Sequence, residues 1–424
     1  MKKIFTLLFV SLLFGNCSHK PEVVYSSEEE NTAHQITHLP FKFKQSERWG
    51  LIGVDGKILF QNRFKDEPSY VVNGIFYVRN ANELYEYYSA KEKPARINNK
   101  AYRSNYYSGS IFYEDIIPVK DNQHFVFIRK DGSQAFVFDS YDGKKINWIS
   151  NFNDGMAQFC TESNKYGYIN TKGEVVLPPK YSRASDFSEG LAVVMENYNP
   201  CEEKRNKKSV AYIIDKSGKK QSDLEIEQHE ENKVIWFEKF VNGLAPCKSG
   251  ICETDAIGTI YYVNRKGEKV IYAYHNKEKH KSGVNMPPQN TYIISKFNKK
   301  GYALCVKQVK EERKEYIGII SAEGKMIVDM KYEYYIPEDE FQDAGYYIDE
   351  DFACISDRKK FGLIDFNGNV ICPFRFDRIY PFYDGEHAFA RMGKTCFLIN
   401  KKGERMDNNE YEMIGTEEMN KAIY

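Results

Sequence analysis

Long apolar runs are scarce in this chain of 424 residues. One opens the sequence, from Ile4 to Phe14, and it falls well short of the ~20 residues a helix needs to cross a bilayer. No C-x-x-C pair occurs among the nine cysteines, so the usual spacing of a structural zinc site is missing. H-E-x-x-H is missing as well, and so are a Gly-rich phosphate loop and a G-x-S-x-G nucleophile turn. No metal and no cofactor is therefore expected. Net charge is missing too: 60 basic side chains stand against 60 acidic ones. A nucleic-acid binder needs a basic face to displace counterions from phosphate, so nucleic acid is not an expected partner. Tryptophan is scarce, with three residues.

Other aromatics are plentiful. Tyr numbers 32 and Phe 28. Such side chains fill half-buried pleated surfaces well and favour strands. Apolar residues make up 42% of the chain, enough for a sizeable core, and the Ala/Leu/Glu richness of helical bundles is absent.

The first seventeen residues read as an address. Lys2 and Lys3 precede the apolar run, as in a secretory signal peptide. The run ends in Phe14-Gly15-Asn16-Cys17. This resembles the lipobox of bacterial lipoproteins, with Asn16 where that motif usually has a small residue. The resemblance implies lipidation at Cys17, export, and a membrane anchor at the outer membrane or cell surface of a bacterial envelope. Residues 18–40 are polar, with Glu28-Glu29-Glu30 among them, and read as a flexible tether.

From residue 41 to 424 the chain repeats itself. Tyr166-Gly167-Tyr168-Ile169-Asn170-Thr171-Lys172-Gly173 runs aromatic, Gly, apolar, apolar, Asn or Asp, two polar residues, Gly. Trp49-Gly50 and Phe361-Gly362 open further copies, and weaker ones lead to Gly132, Gly218, Gly267, Gly324 and Gly403. The gap between Gly56 and Gly132 is wide enough to hide a decayed copy, for which Asp142-Gly143 is the expected trace. A second signature, Phe-x-x-Gly-x-Ala, lies between copies at Phe152–Ala157, Phe187–Ala192 and Phe240–Ala245. The alternation around Tyr166 predicts a strand, Asn170 to Gly173 a hairpin turn, and Glu174 to Leu177 a returning strand ended by Pro178-Pro179. Leu191 to Met195 predicts a third strand. Each unit is thus about three short antiparallel strands, and such a unit must stack on neighbours to bury its apolar face.

These two signatures resemble the WG-repeat family, carried by Trp49-Gly50, Tyr166-Gly167, Phe361-Gly362 and the three Phe-x-x-Gly-x-Ala stretches. The resemblance implies an all-β array of tandem repeats, here seven or eight units, and a binding or scaffolding role with no shared catalytic residues. A β-propeller and a curved β-solenoid both fit. Neither end shows a polar capping unit, which favours a closed or strongly curved form.

Candidate site residues are few. Cys247 and Cys252 bracket Lys248-Ser249-Gly250-Ile251, which reads as a hairpin tip, and form the candidate disulfide of an exported chain. Most other cysteines lie in apolar strand patterns, where a thiol serves as a small hydrophobe. His275 and His280 sit in a charged insert and read as solvated loop. So does the acidic stretch 338–351, whose spacing does not follow a calcium loop. Tyr332, Tyr334, Tyr335, Tyr346 and Tyr347 are candidate binding aromatics, since exposed Tyr suits protein and sugar surfaces; the plain reading of alternating aromatics is half core, half cover. Loops 196–209 and 275–290 are the positions for specificity. The leading function is a non-catalytic, envelope-anchored interaction module that binds a protein or glycan through its repeat surface. A structural scaffold of an envelope complex is the second reading, and a glycan hydrolase or lyase the third.

Overall fold

A computed structural model describes residues 36–43, 46–103, 110–197, 210–224, 233–250, 259–273, 285, 287–288, 290–309, 311–335 and 345–414. Every regular element among them is a β-strand. The strands form seven antiparallel sheets, one of which has eleven strands and combines three units. The six other sheets are one unit each, units 3 to 8 at 116–137, 140–181, 183–223, 233–272, 291–333 and 347–376, with unit 9 at 378–400 in the large sheet, so the described residues hold nine units rather than seven or eight.

A typical unit is the fifth, with strands a to d at Arg183–Ala184, Leu191–Glu196, Val210–Asp215 and Lys220–Asp223, hydrogen-bonded in that order. Strand a is the element the sequence hides. It is often two residues long, too short for any periodicity to show. Strands a and b meet at a two-residue turn in which both central residues have positive φ: Asp154 and Gly155, Glu189 and Gly190, Asn242 and Gly243. That is a type I′ hairpin turn, which demands left-handed backbone at both places and suits Asn, Asp and Gly. The Phe-x-x-Gly-x-Ala signature is the imprint of this turn.

The aromatic–Gly pair has a separate cause. Across from Gly167, strand d at Val175–Tyr181 carries two extra residues: Tyr168 pairs with Leu177, but Tyr166 pairs with Tyr181. The same slip lies opposite Gly50, Gly318 and Gly362. The bulged strand brings a carbonyl close to the glycine. A Cβ on Gly167 would stand 2.6 Å from the Leu177 oxygen, and Gly50, Gly318 and Gly362 face the same obstruction. Pro178 and Pro179 sit inside that bulge, where no ladder N–H is required. They therefore do not end the strand, which runs on to Tyr181.

The nine units close into a ring. The first described strand, Ile36–Phe43, pairs with Trp49–Gly53 on one edge and with Tyr411–Ile414 on the other. Unit 1 thus takes strand a from the C-terminal end and strands b to d from the N-terminal end. This settles the open alternative in favour of a β-propeller. The strand also begins at Ile36, five residues inside the segment expected to be tether. Unit 2 lies at Val71–Val72, Ile75–Arg79, Tyr85–Ser89 and Ala95–Arg96. It is the copy hidden between Gly56 and Gly132; Asp142-Gly143 is instead the turn between Ser140–Tyr141 and Lys144–Ile149 of unit 4.

Between units the facing sheets bury their aromatics. Tyr168, Leu177, Phe187, Val194 and Ile214 join unit 4 to unit 5, and Val193, Ile213, Phe240, Tyr261 and Tyr272 join unit 5 to unit 6. Each fully buried side chain of this size contributes ~1.5–3 kcal/mol, so the ring is held chiefly by packing. Tyrosine hydroxyls cross the seams as well: Tyr168 donates to the Ser185 carbonyl at 2.6 Å and Tyr262 to that of Ser295 at 3.1 Å.

Two outcomes follow from this construction. Gly167→Ala is expected to lower stability by about 2 kcal/mol, the scale of overpacking against backbone, read from the urea midpoint; a change below ~0.5 kcal/mol, the ordinary surface value, would contradict the close approach. Removal of residues 411–424 takes away the buried Tyr411 and Ile414 and bares the edge of Ile36–Phe43. An exposed strand edge pairs with other chains, so size-exclusion chromatography should show a shift to larger species. A monodisperse monomer with an unchanged melting point would show that the ring does not need this strand.

Candidate functional site

Antiparallel order puts the a–b and c–d turns of every unit at one end of the ring and the b–c loops at the other. Among the described residues the first end carries a set of hydrogen bonds that recurs from unit to unit. In a type I′ turn the N–H of the second residue points outward, free to meet a neighbour. Three successive units use it in the same way. Gly155 donates to Glu114 Oε1 at 2.7 Å, Gly190 to Asp154 Oδ2 at 2.6 Å, and Gly243 to the Glu189 carboxylate at 3.0 and 3.3 Å. Asp154 and Glu189 sit in the a–b turn of one unit and the glycine in that of the next, while Glu114 lies in the bend just ahead of strand Ile116–Asp121.

A cation completes two of these three rungs. Lys216 Nζ lies 2.5 Å from Asp154 Oδ1, and Arg265 Nη2 lies 2.6 Å from Glu189 Oε2. Both cations stand at the second position of a c–d turn. Asp215 and Asn264 open these turns by accepting backbone N–H groups two and four residues on, and Asn170 does the same in unit 4. The equivalent position there is Thr171, which carries no charge. Elsewhere the link changes chemistry. Asn73 and Asn242 turn their amides outward, to the Phe112 and Tyr113 carbonyls and to the Phe297 carbonyl. Between units 7 and 8 Asn298 reaches the Asp349 carbonyl and Lys300 pairs with Asp351 at 2.8 Å. The Lys300 hydrogen bond holds the exposed Asp351 carboxyl below its ordinary range.

A cavity of about 590 Å³ opens beside the incomplete rung, lined by Asn73, Tyr113, Glu114, Arg129, Lys130 and Thr171, with Asp115 and Ile116. Its size falls within the ~300–1,000 Å³ of small-ligand sites. Lys130 pairs with Asp115 of its own unit at 2.8 Å, and Arg129 donates to the Gln134 carbonyl at 3.0 Å. Among the described residues no group of His, Cys, Asp and Glu is arranged to hold a metal ion.

The residues singled out in the sequence lie elsewhere. Tyr332 is buried and donates to the Gly368 carbonyl. Tyr334 packs at a tilt against Tyr346, 4.8 Å between ring centres, and Tyr346 donates to the Tyr335 carbonyl at 2.7 Å and also meets Ser356. Tyr347 reaches the Tyr380 carbonyl at 3.1 Å, and Lys359 covers the half-buried Tyr335 ring. These five tyrosines join units 7, 8 and 9; the exposed aromatic face expected of them is not formed, because the bulged d strand and the short a strand turn their rings into the seams. Cys247 is buried with a free thiol in the middle of strand Leu244–Gly250. Lys248 to Gly250 are therefore strand rather than hairpin tip, and Cys252 lies outside the described residues. Cys160, Cys305, Cys354, Cys372 and Cys396 are buried and form no disulfide among the described residues; burial pushes the Cys372 and Cys396 thiols up to about 11, which makes them poor nucleophiles. Cys17, His275, His280, most of both specificity loops and the acidic residues 338–343 also lie outside the described residues.

Sequence reading missed one recurring group. Ser185 Oγ donates to the Asp186 carbonyl at 3.0 Å and accepts from Val193 N at 3.0 Å. Ser69, Ser150 and Ser295 repeat this arrangement. The signal was a Ser two places before the signature Phe at 152, 187 and 297. Unit 6 has Glu238 there, nearly buried, and desolvation raises its carboxyl above the usual value against the pull of Lys296.

The rungs are testable by a double-mutant cycle. Glu189→Gln and Arg265→Gln should each destabilise mildly and couple by about 0.5–1 kcal/mol at low salt, the scale of a partly exposed pair. Coupling within error of zero by urea denaturation would mean that Arg265 adds nothing to the latch.

The pattern of the family described as WG containing repeat matches residues 166–199 and 361–396. Each match covers strands c and d of one unit and strands a and b of the next. No curated protein matches the chain in sequence. Among solved structures, the ring is similar to one described as the eukaryotic initiation factor, with TM-score 0.52 and 11% identity over 90% of this chain and 97% of that one. BamB from Moraxella catarrhalis gives TM-score 0.35 and 9% identity over 79% and 98%. The C-terminal WD40 domain of Sif2 gives 0.37 and 10% over 81% and 93%. At such identity the likeness to the initiation factor concerns the fold alone. The two matched segments are each a full c–d–a–b repeat of the ring, so the WG-repeat pattern is present at two places in it.

Proposed function

We propose that this protein is a non-catalytic interaction module, exported and lipid-anchored through Cys17 at the bacterial envelope, that holds a protein partner on the turn-bearing end of its ring. The observation that carries the reading is the ladder of a–b turns with its open cavity: a packed β scaffold presents fixed charges and hydrogen-bonding groups at one end. Loops on a rigid scaffold are where binding residues concentrate. The signal-like start, with Lys2, Lys3, the run Ile4 to Phe14 and Cys17, supports the anchor.

The test has two parts. In a bacterial host, Cys17→Ala should abolish incorporation of labelled palmitate and move the protein from the membrane to the soluble fraction; unchanged membrane retention would refute the anchor. The tagged full-length chain, incubated with solubilised envelope, should retain a defined protein partner above a tag control, identified by mass spectrometry and confirmed with the purified partner. Failure to retain one across detergents would overturn the interaction reading.

A further inference from the structure

We propose that the cavity beside Glu114 accepts a lysine or arginine side chain presented by the partner protein, in the place that the repeat's own cation fills in the next two units. This rests on the interaction-module reading and names its site and the chemistry of its partner.

The internal comparison makes the case. Asp154 and Glu189 each receive a glycine N–H and a cation from the following unit. Glu114 receives the N–H of Gly155 at 2.7 Å, but the cation position is Thr171, whose short neutral side chain lines the opening. Among the described residues Glu114 forms no ion pair. The two cations that line the cavity are engaged within their own unit: Lys130 with Asp115, and Arg129 with the Gln134 carbonyl. Glu114 is half-buried, so an arriving ammonium or guanidinium meets a partly desolvated carboxylate, where a charged hydrogen bond counts for more than on open surface. Tyr113 and Ile116, also in the lining, offer apolar surface to the methylene stem of a long basic side chain. A free small amine carries the same head group but none of the flanking backbone, and the experiment separates the two.

The probes are acetyl-Gly-Lys-Gly-amide and acetyl-Gly-Arg-Gly-amide, titrated into the intact protein at low ionic strength and followed by NMR. Acetyl-Gly-norleucine-Gly-amide, acetyl-Gly-Glu-Gly-amide and butylamine serve as comparisons. The basic peptides should bind saturably, with the neutral and acidic ones showing no saturation and butylamine binding more weakly. Thr171→Lys supplies the missing cation from within. It should weaken the basic peptides at least tenfold, as should Glu114→Gln, while Glu162→Gln at the b–c end, an equal change of charge, leaves them unaltered. Thr171→Lys should also raise the thermal midpoint slightly, and Glu114→Gln should cancel that rise, a readout that needs no ligand. Preference for the acidic peptide would overturn the proposal and assign the cavity to an anion through Arg129. Equal binding of butylamine would assign it to a free amine. Absence of coupling between positions 171 and 114 would show that the rung geometry does not extend to unit 4. If the partner from envelope is still retained by the Thr171→Lys protein, the interaction module stands and this site falls; if no partner is ever retained, the module itself fails.

Discussion

The pairing of Ile36–Phe43 with Tyr411–Ile414 is the contact on which the ring depends. No unit buries both of its faces alone, and a row of stacked sheets would leave one apolar face and one strand edge at each end. Closure removes both. The sequence repeat and the sheet are out of step by half a unit. The repeat runs c, d, a, b, as its two matched segments show, whereas a sheet runs a to d. A chain made of whole sheets would close only through side-chain packing. The described strands run from a strand b, Ile36–Phe43, to a strand a, Tyr411–Ile414, so closure gains backbone hydrogen bonds, and Phe41 and Tyr411 meet edge to face at 5.6 Å across the join.

Around that frame the turn-bearing end follows from backbone geometry. A type I′ turn fixes two residues at positive φ and leaves an outward N–H. A carboxylate one residue earlier in the neighbouring turn lies within reach of it, and the same carboxylate can still accept a cation on its other side. The latch is thus a by-product of turn type at Asp154 and Glu189, whereas Asp384, which is not at positive φ, turns back on Glu386 and His387 of its own loop. Where the turn residue is Asn, the side chain donates instead and the link reverses direction. One local rule accounts for both forms.

Much of this was legible in the sequence. The turn glycines and the aromatic–Gly pairs signalled their units because each answers a steric demand that few residues meet: positive φ in the first case, a carbonyl within 2.6 Å of a would-be Cβ in the second. Unit 2 escaped notice because its c–d hairpin turns through Lys91, Glu92 and Lys93 with no glycine to mark it. The a strands escaped because two residues carry no period. The tyrosines at 332–335 and 346–347 read as surface because alternation alone does not say which face is solvent, and in a ring both faces of a sheet meet a neighbour. The rung residues escaped for another reason. Asp154 finds its partners 36 and 62 residues further on, and Glu189 at 54 and 76. Only the ring brings those positions together, so no local motif records them.

The relative size of the forces explains why the incomplete rung can exist. A partly exposed ion pair contributes ~0.2–1 kcal/mol, while each seam buries several aromatic and branched side chains at ~1.5–3 kcal/mol apiece. The seam between units 3 and 4 keeps Phe127, Phe138, Ile149 and Phe159 fully or almost fully buried. Omission of one cation there removes little from the ring's stability, yet it leaves a half-buried carboxylate facing a cavity that the rest of the ladder fills from within. Stability is concentrated in the packed seams and hydrogen-bonding capacity is left over at the turns. In a ring of this kind the turn end is accordingly the region where a change of one residue alters what the surface can hold without altering whether the protein folds.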